Sequence, residues 1–312
     1  MPPEKLLVET MDGDKPTQTL LDSDAPIGVA FPKVADLRKL YLISNNIRQS
    51  VVRMLHHAKS GHSAGSIGLA DIFTALYFNV MNHDPKNSTW PNRDRLVLSN
   101  GHVCPVLYAA MAEAGYLPKD ELLTLRQLGS RLQGHPHKGT LPGIENSSGP
   151  LGQGLSLAVG MAIVGKRERK SWKVYCVCSD GEHNEGQVWE AALLAAKYKL
   201  GNLIAIMDRN NIQIDGFTEE VLPLEPLAEK YRAFGWHVIE IDGHNIGQVI
   251  RACEEAKKVI DRPVMIIAHT IPGKDVSFME FLVEWHGKPP GDKEFDQALA
   301  SLGQERKFYG ED

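Results

Sequence analysis

VYCVCSDGEHNEGQVWEAALLAAKYKLGNLIAIMDRNNIQIDG, from Val174 to Gly216, decides how the rest of the chain is organised. VYCVC is an apolar, partly β-branched run of strand length, as in a strand buried on both faces. Gln187 to Leu200 follows at helical spacing, with Val188, Trp189, Ala192, Leu193, Ala196 and Leu200 predicted on one stripe. Gly201 stands where a left-handed helix cap belongs. LIAIMD is then a second buried strand. Two strands joined by a crossover helix run parallel, so both end on one edge of one sheet. Asp180 follows the first and Asn210 the second, facing one crevice where open α/β sheets bind ligands. Carboxylate, carboxamide and carbonyl oxygens suit Mg²⁺ or Ca²⁺, and Mg²⁺ usually completes its shell with phosphate oxygens and water. A metal-bridged phosphate site is the reading of the residues themselves.

The chain outside this stretch supplies further strand-end loops. Asp36 to about Lys59 reads as a helix with Leu37, Leu40, Ile43, Ile47, Val51 and Leu55 on its apolar stripe. It runs into the Gly-rich loop Ser60-Gly61-His62-Ser63-Ala64-Gly65-Ser66-Ile67-Gly68, before a helix from Leu69 to about Val80. A strand from Arg95 to Ser99 ends in Asn100-Gly101-His102 at the start of a helix from Val103 to Ala114, a place that favours anions. After a predicted helix over Asp120 to Leu128 come Gly134-His135-Pro136-His137 and Gly149-Pro150-Leu151-Gly152-Gln153-Gly154. Further helices are expected over Leu224 to Phe234 and Ile246 to Ile260, strands over 237–241 and 264–268, and a short helix over Phe295 to Leu302. Alternating strands and helices mean a doubly wound, mainly parallel α/β sheet with helices on both faces.

With 312 residues the chain can bury a sizeable core. A net charge of −5 and no long basic run give a nucleic-acid or membrane-surface role no support. Cys104, Cys176, Cys178 and Cys253 form no CxxC pair, which suits a reducing compartment. No apolar run approaches the ~18 residues of a membrane span, and the acidic, proline-containing N-terminus lacks signal-peptide order. A cytoplasmic protein is expected.

Together these motifs resemble the thiamine-diphosphate-binding half of transketolases, over about residues 36 to 290. Ser179-Asp180-Gly181, a helix and then Asn210 resemble that superfamily's Gly-Asp-Gly…Asn fingerprint, with Ser179 in the first glycine's place. The Ser-Gly-His loop resembles the family's, with Ser63 and Ser66 replacing two prolines and leaving the loop less rigid. The resemblance implies thiamine diphosphate with Mg²⁺ (or Ca²⁺), the metal held by Asp180, Asn210 and the carbonyl of Ile212. It implies cofactor contacts from His62, His102, Gly149, Leu151, Gly181, Glu185, Asn210 and His286, the last in Trp285-His286-Gly287. It also implies a substrate channel lined by His62, His102, His135 and His286. Glu185 would lie near the metal and across a subunit interface. His183 and His137 are expected in solvent, and His244 is left without an assigned role.

Residues 31–312 then form one diphosphate-binding domain behind a loosely ordered extension, 1–30. The resemblance covers only the diphosphate half and does not extend to the pyrimidine-binding half. The resemblance therefore implies the N-terminal subunit of a split transketolase, which works on sugar phosphates with a separate C-terminal subunit in a two-plus-two heterotetramer. Two alternatives stay open: the diphosphate-binding subunit of another thiamine enzyme (a specialised transketolase or a 2-oxo acid dehydrogenase), and a non-catalytic relic of the fold.

Overall fold

The computed structural model describes residues 30–309. Its centre is a five-stranded, wholly parallel sheet in the order β1 (Arg95–Leu98), β2 (Val174–Ser179), β3 (Leu203–Arg209), β7 (Val264–His269), β6 (His237–Asp242). Every residue of β2 and β3 is buried, which is why both read as unbroken apolar runs. One face, with Tyr175, Val177, Ile204, Ile206 and Ile266, packs on α1 (Leu37–Ala58), α3 (Ala70–Ala75), α4 (Cys104–Ala114), α9 (Ile246–Lys258) and α10 (Asp292–Phe308). The other face, with Cys176, Cys178, Ala205, Met207 and Ile267, packs on α5 (Gln153–Arg167), α6 (Gly186–Lys197) and α8 (Leu227–Ala233). This is the expected two-sided α/β architecture. The extension expected over 1–30 falls, apart from residue 30, outside the described residues.

Several local expectations are corrected. The buried stripe of α6 is Val188, Ala191, Ala192 and Ala195, while Leu193 and Leu194 face outward. Alanines let the helix axis sit close to the sheet, so the larger side chains are not the buried ones. Gly201 is not the left-handed residue; Lys199 is, at φ 50°. Gly201 is needed because a Cβ there would lie 2.3 Å from the Ile260 carbonyl carbon. The helix expected over Asp120 to Leu128 is only a 3₁₀ turn, Lys119–Thr124. The chain leaves it because Arg126, at φ 60°, donates its amide to Leu132 O and its side chain to Ser60 Oγ. The last helix is longer than expected: Glu294 accepts from Gly291 N and starts it at Asp292. A two-stranded hairpin, β4 (Ile212–Gln213) and β5 (Gly216–Phe217), was not foreseen.

Candidate active site

In the crossover from β2 through α6 to β3, Ser179 stands level with Asp208, so the two strand ends lie side by side. Asp180 is fully buried just beyond. Its Oδ1 accepts from Gly181 N (2.7 Å); its Oδ2 accepts from Asn211 N (2.7 Å) and Arg209 Nη1 (3.0 Å). Burial raises its pKa, against the pull of Arg209. Asn210 donates Nδ2 to Asp208 Oδ2 (2.7 Å) and accepts Ile212 N at Oδ1 (3.0 Å), so its oxygen lies on the Ile212 side. Asp208 is buried, bonded to Thr270 Oγ1, and pushed up to about 7 by burial. The predicted seat residues Asp180, Asn210 and Ile212 therefore converge. Among the described residues no three His, Cys, Asp or Glu side chains form a metal cage. A cation here would depend on amide, carbonyl and ligand oxygens as well as one carboxylate.

Three of the four predicted histidines also meet. Ring centroids are 4.9 Å apart for His62 and His102, 5.8 Å for His62 and His286, and 5.3 Å for His102 and His286. Burial lowers His62 to about 4, helped by His286, Arg126 and His135; it lowers His102 and His286 too. They are uncharged at neutral pH and can both donate and accept. His135 is exposed, and its ring lies against the face of Gly149, where a Cβ would meet it at 3.7 Å.

The Gly149–Gly154 turn is fastened to the same edge by a residue the sequence motifs do not single out. Glu182 is buried; its Oε1 accepts from Gly152 N (3.0 Å) and from Ser99 Oγ, and its Oε2 accepts from Ser179 N (2.9 Å). One carboxylate thus joins the ends of β1 and β2 to the start of α5. Glu185, three residues on, is exposed at the start of α6. Nothing in the spacing ranks Glu182 above Glu185. Arg209 was also missed: besides Asp180 it holds Glu219 (2.6 Å) and Glu225 (3.0 Å) through Nη2.

Two expectations about polar residues change. His183 is buried, not in solvent; Nδ1 lies 2.7 Å from Ser179 O and Nε2 2.7 Å from Tyr231 Oη. The serines in the Gly-rich loop tie it down rather than loosen it: Ser63 Oγ donates to Lys288 O (2.6 Å) and Ser66 Oγ to His62 O (2.7 Å). Ser179, in the glycine's place, donates its amide to Glu182. His137 is exposed as expected.

Several buried polar atoms lack a protein partner in these loops: His62 Nδ1, Asn100 Oδ1 and Nδ2, Ser148 Oγ and Gln213 Nε2. Ser148 Oγ lies 2.6 Å from where a Cβ on Gly101 would be, and Gln213 Oε1 3.1 Å from one on Gly181. Unpaired buried groups are costly, and these fit a polar ligand laid across the carboxyl edge.

Comparison with known proteins agrees. The family described as transketolase, thiamine diphosphate binding domain, matches residues 41–310. This chain belongs to the transketolase family. It is 44% identical over 262 residues to the 6-deoxy-6-sulfo-D-fructose transketolase subunit SqwG of Clostridium sp. (strain MSTE9), covering 84% of this chain and 95% of that one. It is 42% identical to an apulose-4-phosphate transketolase subunit of Actinobacillus succinogenes, covering 83% and 93%. Human transketolase is 40% identical but matched over only 41% of its length. The crystal structure of Campylobacter jejuni transketolase superposes with a TM-score of 0.82 at 37% identity, covering 88% of this chain and 45% of that one. The chain thus spans nearly all of the separate transketolase subunits and under half of the single-chain transketolases. It corresponds to the thiamine-diphosphate-binding subunit of a split transketolase.

Proposed function

We propose that Asp180, Asn210 and the Ile212 carbonyl would hold Mg²⁺ together with the diphosphate end of thiamine diphosphate, and that a separate subunit closes the site. The gathering of unpaired polar atoms at the loops of one sheet edge carries this reading. The Gly149 backbone, at φ 148° and packed against the His135 ring, carries no side chain that would hold a ligand away from it, with Leu151 and Gly181 beside the same loops. His62, His102 and His286 donate to the diphosphate end and to substrate hydroxyls. As uncharged imidazoles each has a free acceptor nitrogen that can take a proton from a donor-sugar hydroxyl, carry it as imidazolium, and return it to the acceptor-sugar oxygen. His135 stands at the channel mouth. Bound thiamine diphosphate supplies the electron sink for the two-carbon ketol unit. Asp208 orients the Asn210 carboxamide toward the cation. Glu185, exposed at the start of α6, faces the neighbouring subunit.

The partner subunit supplies the pyrimidine-side carboxylate and most of the sugar-phosphate contacts, and the assembly is two plus two in the cytoplasm. The donor is a ketose or ketose phosphate. Specialised sugars are proposed beside the pentose phosphates, because two separate-subunit relatives are named for 6-deoxy-6-sulfo-D-fructose and apulose-4-phosphate. The test is ketol transfer by the chain alone and with its partner. Activity only in the mixture supports the reading, and full activity of the lone chain overturns it.

A further inference from the structure

His244, at the loop after β6, belongs to a buried network that the site above does not use. Asp71 on α3 accepts from Ser44 Oγ (2.6 Å) and from Arg48, and its Oδ2 lies 2.9 Å from His244 Nδ1. Arg48 also reaches Asp275 Oδ2 at 3.5 Å. A carboxylate only accepts, so Nδ1 of His244 carries the proton. Nε2 is then a lone pair, and it accepts the amide of Ile271 at 2.7 Å.

Ile271 begins the segment that ends in His286. The segment is folded back by Phe281 N donating to Pro272 O, and the turn Val283–Trp285 leads directly into His286. It is seated on the His62 loop by Gly273 N donating to Ala64 O (2.9 Å) and Ser63 Oγ donating to Lys288 O. At Gly68 it leaves no room for a side chain, since a Cβ there would lie 2.9 Å from Ile271 O. His244 thus joins three elements: α3, the loop after β6 and the loop after β7.

We propose that Asp71 and His244 are positioning residues: Asp71 sets the His244 tautomer, His244 holds Ile271, and this fixes His286 against His62 and His102. The proposal rests on His286 acting in the site proposed above. A histidine at this place is required as a linked donor and acceptor, which glutamine can reproduce and leucine cannot.

The test compares His244→Leu and His244→Gln in the complex with the partner subunit, by amide hydrogen exchange and steady-state kinetics. His244→Leu is expected to speed exchange across 270–289 by about tenfold or more, as local opening becomes easier, with no change across 37–58. It is also expected to lower kcat by about ten- to a hundredfold, with little change in donor KM, because a displacement on the order of 1 Å carries such a cost. His244→Gln is expected to restore most of both. Unchanged exchange in His244→Leu overturns the proposal. So does an unchanged kcat despite faster exchange, or equal losses in the two variants. If unmodified protein shows no ketol transfer while the exchange result holds, the assigned activity fails and the claim on His286 in catalysis falls with it.

Discussion

Replacing His183 with phenylalanine yields a stability difference whose size depends on pH in a defined direction. The ring is buried, donates Nδ1 to Ser179 O and accepts Tyr231 Oη at Nε2, each at 2.7 Å. Burial lowers its pKa from 6.5 to about 4; the Ser179 carbonyl opposes this and Arg209 adds to it. As pH falls below about 6.5, the unfolded chain takes up the proton first. The stabilisation is therefore complete above that pH and is lost on the way down to about 4. The whole span is worth about 3 kcal/mol, most of which is gone by pH 4.5. Phenylalanine removes this dependence and leaves Ser179 O and Tyr231 Oη unpaired, a cost of about 2–4 kcal/mol at pH 7.5. Urea unfolding followed by circular dichroism at pH 7.5, 6.0 and 4.5 should show the gap between wild type and variant shrinking by about 2–3 kcal/mol. A gap that stays constant would mean that His183 ionises alike in the folded and unfolded chains, and the burial argument would be wrong.

Gly154→Ala places a Cβ 2.3 Å from Ser99 Cβ and 2.5 Å from Ser99 Cα, so backbone must move; a loss of about 2–3 kcal/mol is expected in urea unfolding, and an unchanged midpoint would contradict it. Glu182→Gln sets an amide donor against the donors from Ser99, Gly152 or Ser179. It should cost about 2–4 kcal/mol and weaken thiamine diphosphate binding by loosening the Gly149–Gly154 turn, as titration calorimetry would show. Asp208→Asn removes a buried acid pushed up to about 7. The new carboxamide can keep its oxygen on Asn210 Nδ2 and donate to the Thr270 hydroxyl, which can turn to accept, so the Asn210 oxygen should stay on the Ile212 side and Mg²⁺-dependent binding should be little changed; a loss of about tenfold or more would contradict an orienting role that rests on the acceptor oxygen alone.

Much of this was legible in the sequence because strands buried on both faces write themselves as apolar runs. Val174–Ser179 and Leu203–Arg209 are such runs, and the polar residues just beyond them had to reach one edge. The convergence of Asp180 with Asn210 follows from that topology, whereas His62, in a loop between two helices, meets His102 and His286 through packing that the strand pattern does not write. Where a long-range contact decides, the sequence is silent. Arg126 ends a helix that local pattern favours because it reaches Ser60, far away in the chain. His183 looks like a loop residue until Tyr231 is placed over it. Glu182 and Glu185 are alike in type and spacing, and only the fold puts one beneath Gly152 and leaves the other exposed. Leu193 and Leu194 mimic a core stripe that alanines occupy.

Titration of thiamine diphosphate into the assembled two-subunit complex, with and without Mg²⁺, bears most directly on the seat at Asp180 and Asn210. Binding should require the metal, and Asp180→Ala, which removes its one side-chain carboxylate, should abolish that binding while the complex stays assembled. Metal-dependent binding that survives in Asp180→Ala, with unchanged affinity, would place the cofactor elsewhere and contradict the account.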